Sequence, residues 1–166
     1  EILASNKIVN DLLGFSRTRP PMAQPSELNR IIEEALSVVS IPETVKVEID
    51  LSLDLPPTLV NPDEIRQVFV NLINNAWQAM PEEGTLKVRS YIEEEMAQVE
   101  ITDTGCGISP ENMKKLFTPF FSTKAKGTGL GLAAVQRILE RHKGKIKVRS
   151  RVGQGTTFII SLPLAK

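Results

Sequence analysis

The hydrophobic period of this chain changes several times, from about 3.6 residues to two residues and back. The alternation is clearest in residues 45–54, where every second side chain is apolar: Val45, Val47, Ile49, Leu51 and Leu53. This pattern predicts a strand with one buried and one wet face. Before it, apolar side chains recur at steps of three and four from Leu28 to Val39, with Ser26 as the predicted N-cap. Such an amphipathic helix is expected to lie on a sheet, as in an α/β domain.

The strongest helix-start signal is Asn61-Pro62-Asp63-Glu64. Asn61 is a favoured N-cap, a proline fits the first helical turn, and Glu64 occupies the capping-box position. We therefore predict a helix that runs from here to about Met80.

Similar signals define the other elements. They are strands at residues 85–92 and 97–103, a short helix from Ser109-Pro110, a long loop at 117–126, a helix from about Leu130 to His142, and a hairpin of strands at 145–150 and 156–162. The acidic residues 93–95 are read as a solvated turn between the first two of these strands. Gly144 is placed to end the last helix.

The N-terminal residues form a separate unit in this reading. Residues 1–16 carry apolar side chains at near-heptad spacing, typical of a helix with a narrow seam for a partner. Residues 17–25 contain three prolines and are read as a linker. We predict a boundary near Pro20, which gives units at residues 1–20 and 21–166. Because the chain begins with Glu1, we expect it to be a piece of a longer protein.

Composition excludes several classes of function. Acidic and basic side chains number 20 each, so no general attraction to nucleic acid or to an anionic membrane is expected. Cys106 is the only cysteine, which rules out an internal disulfide and a Cys-rich metal site and favours a reducing, cytoplasmic compartment. No apolar run approaches the roughly 20 residues that span a bilayer. These residues are therefore expected to make no membrane contact.

Two amides lie four residues apart on the predicted helix after Asn61. Asn71 and Asn75 flank its apolar stripe, at the border between core and a possible cleft. Amide oxygens are hard donors that suit Mg²⁺, which usually takes only one or two protein ligands besides phosphates. The alternative is that both amides hydrogen-bond a neighbouring loop.

Asp103 ends a predicted strand and precedes Gly105 and Gly107. The glycines allow the backbone to turn sharply and to approach a flat ligand. A carboxylate only accepts hydrogen bonds, so it would accept from the exocyclic amine of adenine and repel the carbonyl of guanine. The same pattern is also common in turns with a purely structural role.

The glycine-rich segment at residues 127–131 leads directly into the last predicted helix, whose free N–H groups favour an anion such as phosphate. Leu132 stands where the dinucleotide fingerprint has its third glycine, and no Gly-Lys-Ser/Thr loop is present. Lys124 and Lys126 precede this segment and could reach terminal phosphates. A glycine hinge and ordinary surface lysines are the alternatives.

Aromatic side chains crowd the loop before those lysines. They are Phe117, Phe120 and Phe121, interrupted by Pro119. Three roles remain open for them: a lid over a ligand, a docking patch, or anchors of the loop in the core.

Four segments in order resemble the boxes of sensor histidine kinases. They are residues 71–80 (Asn-Leu-Ile-Asn-Asn-Ala-Trp-Gln-Ala-Met), similar to the N box, 103–108, similar to the G1 box, 117–120, similar to the F box, and 127–132, similar to the G2 box. Residues 78–81 and 120–124 resemble most the nitrogen-regulation subgroup. The resemblance covers nearly all of the chain from Ser26 onward.

The resemblance implies a Bergerat-type α+β fold: a two-layer sandwich with a mixed sheet of about five strands covered by about three helices, preceded by part of a helical hairpin. It implies ATP and Mg²⁺ as cofactors, with Asn75 as metal ligand, Asp103 as adenine reader, and Asn71, Asn75 and Lys124 as catalytic residues. The implied nucleotide-binding residues are Asn71, Asn75, Gln78, Asp103, Gly105, Gly107, Ile108, Phe120, Lys124, Gly127, Thr128, Gly129, Leu130, Gly131 and Thr156.

The implied function is transfer of the γ-phosphoryl group of Mg-ATP to a histidine of the dimerisation and phosphoacceptor hairpin, and then to a response regulator receiver domain. Residues 1–16 would be the end of that hairpin, and the full-length protein a homodimer. His142, the only histidine, lies on an apolar helix face and is predicted to be a packed structural residue. The alternatives are a superfamily ATPase, disfavoured because Asn71 stands where such enzymes carry a glutamate base, and a non-catalytic nucleotide-sensing module.

Overall fold

A computed structural model of the chain describes residues 2–16, 20–124 and 127–165. Its elements follow the predicted order, with two short strands added. They are α1 (Ile2–Ser16), β1 (Gln24–Ser26), α2 (Leu28–Val38), β2 (Val45–Leu51), β3 (Thr58–Val60), α3 (Pro62–Gln78), β4 (Gly84–Glu93), β5 (Met96–Asp103), α4 (Pro110–Met113), α5 (Gly131–Arg141), β6 (Lys145–Arg151) and β7 (Gly155–Pro163). Of the helices in the described ranges, none has the length and hydropathy needed to cross a membrane.

The main sheet has five strands in the order β2-β4-β5-β7-β6. β2 and β4 run parallel, and all other neighbours are antiparallel. The parallel pair requires a crossover, which contains α3. The sheet is therefore mixed, and the predicted number of strands is confirmed.

Helices α2, α3 and α5 pack together on one face of this sheet. The buried side chains of α3 repeat at helical spacing: Ile65, Val68, Phe69, Leu72, Ile73 and Ala76. They meet inward-facing side chains of the central strands: Leu86, Val88, Val99, Ile101, Phe158, Ile160 and Leu162. The predicted two-layer α+β sandwich is confirmed, because a helix with one apolar stripe and a sheet with one apolar face bury each other.

Two elements were not predicted. β1 and β3 form a separate antiparallel pair, and each is three residues long. A strand this short shows no measurable alternation. Ser26 therefore does not cap α2: it lies in β1, and its hydroxyl donates to the carbonyl of Gln24. Glu27 is the N-cap and makes no side-chain capping bond.

The structure also differs from the predicted linker. Its last residues, Gln24 and Pro25, belong to β1, while residues 17–19 lie outside the described part of the chain. The division of the chain near Pro20 stays a prediction. The apolar seam predicted for residues 1–16 is solvent-exposed on α1 at Ile8, Val9, Leu12 and Leu13.

The alternation of β2 was expected to give one fully buried face, and this was only partly correct. Val45 is buried, but Val47 is half-exposed and Ile49 is 54% exposed. Their register partners Leu86 and Val88 are fully buried. The difference arises because β2 is an edge strand, so its apolar face lies at the margin of the helix layer.

The C-terminus of α5 also differs in detail from its prediction. Lys143, not Gly144, adopts the left-handed conformation, with φ of 58°. The N–H of Gly144 donates to Leu139 O over 2.8 Å, and that of Lys143 to Glu140 O over 3.0 Å, which is a Schellman motif. Gly144 is required instead by close packing, since a Cβ there would lie 2.7 Å from Ser161 O.

The start of α3 and the end of α5 are joined by a buried polar cluster. Asn61 caps α3 as predicted, its Oδ1 accepting from the N–H groups of Asp63 and Glu64 over 3.0 and 3.1 Å. Its own N–H donates to His142 Nε2 over 3.1 Å, so the imidazole takes the place of the capping-box carboxylate. Glu64 faces Arg141 over 3.0 Å instead. His142 is a buried structural residue, as predicted.

The tautomer of His142 follows from these bonds. Because Nε2 accepts from Asn61, Nδ1 carries the proton and donates to Ile138 O over 2.7 Å. The ring thus connects two helices that are far apart in the sequence.

Replacing His142 with Leu should lower the free energy of unfolding by about 1–3 kcal/mol, because it leaves the buried N–H of Asn61 unpaired. His142→Gln, which can still present an acceptor, should cost less, and Glu140→Ala, at an exposed position, about 0.5 kcal/mol or less. Urea unfolding followed by circular dichroism measures all three. Equal stability of His142→Leu and the unmodified chain would contradict the role given to the ring.

Candidate functional site

A cavity of about 870 Å³ opens between the C-terminal half of α3, the end of β5 and the start of α5. Asn75, Asp103 and Gly129 line it together. These residues come from three different predicted boxes, and the structure brings them to one place. The cavity is therefore the candidate functional site.

Of the residues that the resemblance implied, twelve line this cavity. They are Asn71, Asn75, Gln78, Asp103, Gly107, Ile108, Lys124, Gly127, Thr128, Gly129, Gly131 and Thr156. Lys126, which the sequence also suggested, lies outside the described residues.

Amide side chains of α3 form one wall of the cavity. Asn71, Asn74, Asn75 and Gln78 all line it, because they occupy the edge of the helix next to its buried stripe. Asn74 was not predicted, although its position four residues before Gln78 could have suggested it. Its Oδ1 accepts from the indole N–H of Trp77 over 3.0 Å.

Asn71 lies close to the first residue of α5. A Cβ added to Gly131 would be 3.9 Å from its Cγ. The Nδ2 group of Asn71 is buried and has no hydrogen-bond partner. A buried donor without a partner is costly in a folded protein, and here it belongs to a residue of the cavity wall.

Lys124 reaches across the cavity to α3. Its ammonium group donates to Asn75 Oδ1 over 3.0 Å and to Gln78 Oε1 over 2.6 Å. The hydroxyl of Ser122 accepts from the N–H of Lys124 over 3.1 Å and steadies the backbone there. A cation is thus placed among amide oxygens.

Asp103, the last residue of β5, contributes a carboxylate to the cavity wall. It is 4% exposed, and its Oδ1 accepts from the N–H of Gly105 over 2.8 Å. Burial raises the pKa of Asp103, while hydrogen bonds from the Gly105 and Thr156 backbone and the charge of Lys124 act in the opposite direction. Thr156 is its partner across the sheet. The carboxylate is therefore held rigidly in a site that partly opposes its charge.

The turn after Asp103 is wedged between two other elements. Gly107 has φ of 74°, and a Cβ there would lie 2.1 Å from Arg151 O. The N–H of Cys106 donates to Ala79 O, and its carbonyl accepts from Gly153 N. Gly105 packs against Ala79 and does not line the cavity. Only glycine permits this close contact with both the end of α3 and the β6–β7 turn.

The segment between α4 and α5 turns sharply at Phe120, which has φ of 67°. Its N–H donates to Gly129 O over 2.9 Å, and Gly129 itself has φ of 71°. A Cβ on Gly129 would lie 2.3 Å from the carbonyl carbon of Phe120. The expected position of Phe120 in the site is not observed: the turn leaves it 71% exposed, and Phe121 lines the cavity instead.

The start of α5 points at the cavity. Its N-cap, Leu130, offers no side-chain acceptor to the first N–H groups, and the first turn holds no acidic residue. Gly131 and Leu132 line the cavity. Leu130 was implied as a ligand contact, but its side chain is buried in the protein interior. The positive end of this helix thus favours an anion.

An apolar wall completes the cavity, and three of its residues were missed from the sequence. Besides the predicted Ile108, and Phe121, for which a lid over a ligand was one of the open roles, it contains Leu116, Leu132 and Phe158. Phe158 could have been found, since it lies two residues after Thr156 on the same face of β7. The others depend on how the loops fold.

The cavity therefore has three chemically distinct parts. They are a buried carboxylate, the amide oxygens of α3, and a positive helix end and a lysine that lie near those amides. A ligand that matches this arrangement presents a hydrogen-bond donor to the carboxylate and anionic groups to the helix end and the lysine, with a hard cation beside the amides.

A family model described as histidine kinase-, DNA gyrase B- and HSP90-like ATPase matches residues 60–166. The chain belongs to this family. The match includes α3, the whole cavity and every strand of the main sheet except β2. Relatives of this chain include named histidine kinases, and this confirms the resemblance of the four boxes to sensor histidine kinases.

Among curated proteins, the signal transduction histidine-protein kinase AtoS of Escherichia coli K12 is 39% identical over 168 residues, covering 99% of this chain and 28% of AtoS. The sensory histidine kinase/phosphatase NtrB of Rhodobacter capsulatus is 34% identical over 174 residues, covering 96% of this chain and 49% of NtrB. The chain thus spans between about a quarter and a half of the length of these relatives.

Solved structures of histidine kinases share the fold. Full-length ShkA in complex with AMPPNP matches 99% of this chain and 36% of its own, with a TM-score of 0.84 and 26% identity. ThkA in complex with the response regulator protein TrrA matches 99% of this chain and 48% of its own, with a TM-score of 0.82 and 27% identity.

Replacing Asp103 with Asn should stabilise the fold at neutral pH. Because the folded-state pKa is raised, this carboxyl favours folding only while protonated, and that contribution is lost as the pH rises through the raised pKa. The stability gain should therefore shrink as the pH falls through the raised pKa toward the ordinary Asp pKa of about 3.9. Urea unfolding across this range measures it. The exposed Asp54→Asn controls for loss of one charge, and an Asp103→Asn variant less stable at neutral pH would contradict the prediction.

Proposed function

We propose that this chain is the ATP-binding catalytic part of a two-component sensor histidine kinase. It transfers the γ-phosphoryl group of Mg-ATP to a histidine on a phosphoacceptor helix, for onward transfer to an aspartate of a response regulator receiver domain. One observation carries the proposal: Asp103, Asn75 and the start of α5 line a single cavity, so a carboxylate, an amide oxygen and a positive helix end are available to one ligand.

Asp103 suits the adenine end of the nucleotide. Its Oδ1 is held by the N–H of Gly105, so the carboxylate has a fixed orientation. An acceptor-only group matches the exocyclic amine of adenine and repels the O6 carbonyl of guanine. A site built around such a bond can discriminate strongly between the two bases.

The groups around the start of α5 suit phosphates. The start of α5 supplies N–H groups and a positive dipole end, and the unpaired Nδ2 of Asn71 supplies a further donor. Lys124 adds a full positive charge. These groups together neutralise the charge of a triphosphate and orient it.

The residues present also fit Mg²⁺. Asn75 Oδ1 is a hard amide oxygen on the cavity wall, and Mg²⁺ commonly takes one or two protein oxygens together with substrate phosphates. When bound, the metal would supply charge neutralisation at the phosphates. Asn75 would hold it.

Phosphoryl transfer depends mainly on positioning and on charge stabilisation, and these groups provide both. Asn71, Lys124 and the start of α5 would hold the phosphate chain while Asp103 and the apolar wall hold the base. Ile108, Leu132 and Phe158 exclude water from that end of the cavity.

A superfamily ATPase is the second candidate, and the lining of the cavity disfavours it. Activation of water needs a general base near the phosphates. Asp103 is the sole carboxylate among the described lining residues, and its Oδ1 is already bound to the N–H of Gly105. Asn71, one turn before Asn75, cannot serve as a base near neutral pH.

The proposed partners extend beyond these residues. ThkA is known in complex with the response regulator TrrA, which supports a receiver domain as partner here. The exposed apolar seam of α1 supports a helical hairpin and a homodimer in the full-length protein. The part of the chain that contains the cavity would then phosphorylate a histidine on another segment.

Asn75→Ala should weaken binding of Mg-ATP about tenfold or more, since it removes the proposed metal ligand. Asp103→Asn should lower the preference for ATP over GTP about 100-fold, because an amide nitrogen cannot accept from adenine. Isothermal titration with both nucleotides measures these effects. Gln67→Ala, on α3 but outside the cavity, is the control, and unchanged titrations for both variants would remove the site assignment.

Incubation with labelled Mg-ATP and a second polypeptide that carries the acceptor histidine in a helical hairpin should place phosphate on the hairpin. The product should be base-stable and acid-labile, as expected of a phosphoimidazole, and Asn75→Ala should reduce its rate at least tenfold. Rapid phosphate release without the hairpin would favour the ATPase. Good ATP binding without transfer would favour a nucleotide-sensing module.

A further inference from the structure

Gln78, which the resemblance implied as a nucleotide contact, lines the cavity and is bound there to a lysine. It is solvent-exposed, it is the last residue of α3, and its Oε1 accepts from Lys124 Nζ over 2.6 Å. The second bond of the same ammonium goes to Asn75 Oδ1 over 3.0 Å. One lysine therefore connects Gln78 to the amide that the proposed function gives to Mg²⁺.

Lys124 and Mg²⁺ cannot both occupy this position. An ammonium group has only donors, so it binds Asn75 through the lone pairs of Oδ1. A hard cation needs the lone pairs of the same oxygen. Two cations on one small amide oxygen repel each other, so binding of the metal requires Lys124 to leave.

We propose that Lys124 is an internal cation that Mg²⁺ displaces from Asn75, and that Gln78 is the positioning residue that retains it there before the metal binds. The proposal rests on the proposed function. Displacement does not remove the lysine from the cavity, because residues 122–124 line it. The released ammonium is then close to the phosphates that arrive with the metal, and the two cations exchange places around the same ligand.

The strength of the Gln78 bond then sets how much metal the site needs. A stronger bond between Gln78 and Lys124 would oppose Mg-nucleotide binding, whereas loss of this bond would weaken the attachment of Lys124 to α3. Both amides are on α3, so they are fixed with respect to each other, while Lys124 comes from the segment before α5. The exchange therefore links the metal position to the conformation of that segment.

Gln78→Met tests this idea, because it keeps the length of the side chain and removes the acceptor. Affinity for Mg-ADP should rise about threefold to tenfold, since one hydrogen bond to Lys124 no longer has to be broken. Affinity for ADP in EDTA should not change, since Lys124 can then stay on Asn75. If Gln78 instead contacts the nucleotide, Gln78→Met should weaken both, and this result would overturn the proposal.

A second measurement needs no nucleotide. Acylation of lysine amines, followed by mass spectrometry, should be slower at Lys124 than at the exposed Lys147 in the nucleotide-free chain. Gln78→Met should accelerate the reaction at Lys124 about threefold to tenfold and leave Lys147 unchanged. Equal acylation rates of Lys124 in the unmodified chain and in Gln78→Met would overturn the proposal.

The two measurements separate this proposal from the proposed function. Normal Mg-ADP binding with no effect of Gln78→Met would reject the exchange alone. A chain that binds no Mg-ADP would reject the proposed function, and the exchange with it.

Discussion

Burial of the apolar side of α3 between the sheet and its two neighbouring helices sets the position of every polar group in the cavity. The stripe that includes Phe69, Leu72 and Ile73 admits only one rotation of the helix about its axis. That rotation places Asn71, Asn75 and Gln78 at the edge of the core, where all three line the cavity. The same packing presses the end of α3 onto the turn after Asp103, because the carbonyl of Ala79 accepts from Cys106 N.

The remaining parts of the site are held by backbone contacts that leave no room for side chains. Gly107 lies against Arg151 and Gly129 against Phe120, so the loops that carry the site are fastened to the rigid sheet and to each other. This arrangement brings groups of opposite charge to one cavity. The carboxylate of Asp103, the start of α5 and Lys124 all line it, so different parts of one ligand can meet an acceptor and cationic groups. The Lys124 contact to Asn75 and Gln78 adds a cation to the amide wall before any metal arrives.

Local patterns accounted for the long elements and for some caps. α3 was predictable from Asn61 and Pro62 because its cap and its apolar stripe agree, and the hairpins followed from alternation. β1 and β3 were not predictable, because three residues carry no period, and Ser26 was misassigned as a cap for the same reason. The hydrogen-bond partner of the Asn61 N–H could not be predicted either, because His142 lies 81 positions away in the sequence and a local capping box was the simpler interpretation. Phe120 was expected in the site, but a left-handed turn, which phenylalanine rarely adopts, directs the chain so that Phe121 enters instead.

The sequence by itself determined the order of the elements, the family, and which boxes carry the chemistry, because these depend on residue types at short spacing. Only the tertiary structure decided that Asn75, Asp103 and Gly129 share one cavity, that Asn74, Leu116 and Phe158 line it, and that Lys124 is bound to Asn75 and Gln78. The physical reason is that such contacts join segments distant in the chain. Their distances depend on how α3 packs on the sheet and on where glycine allows two backbones to meet, and neither is encoded in the spacing of neighbouring residues.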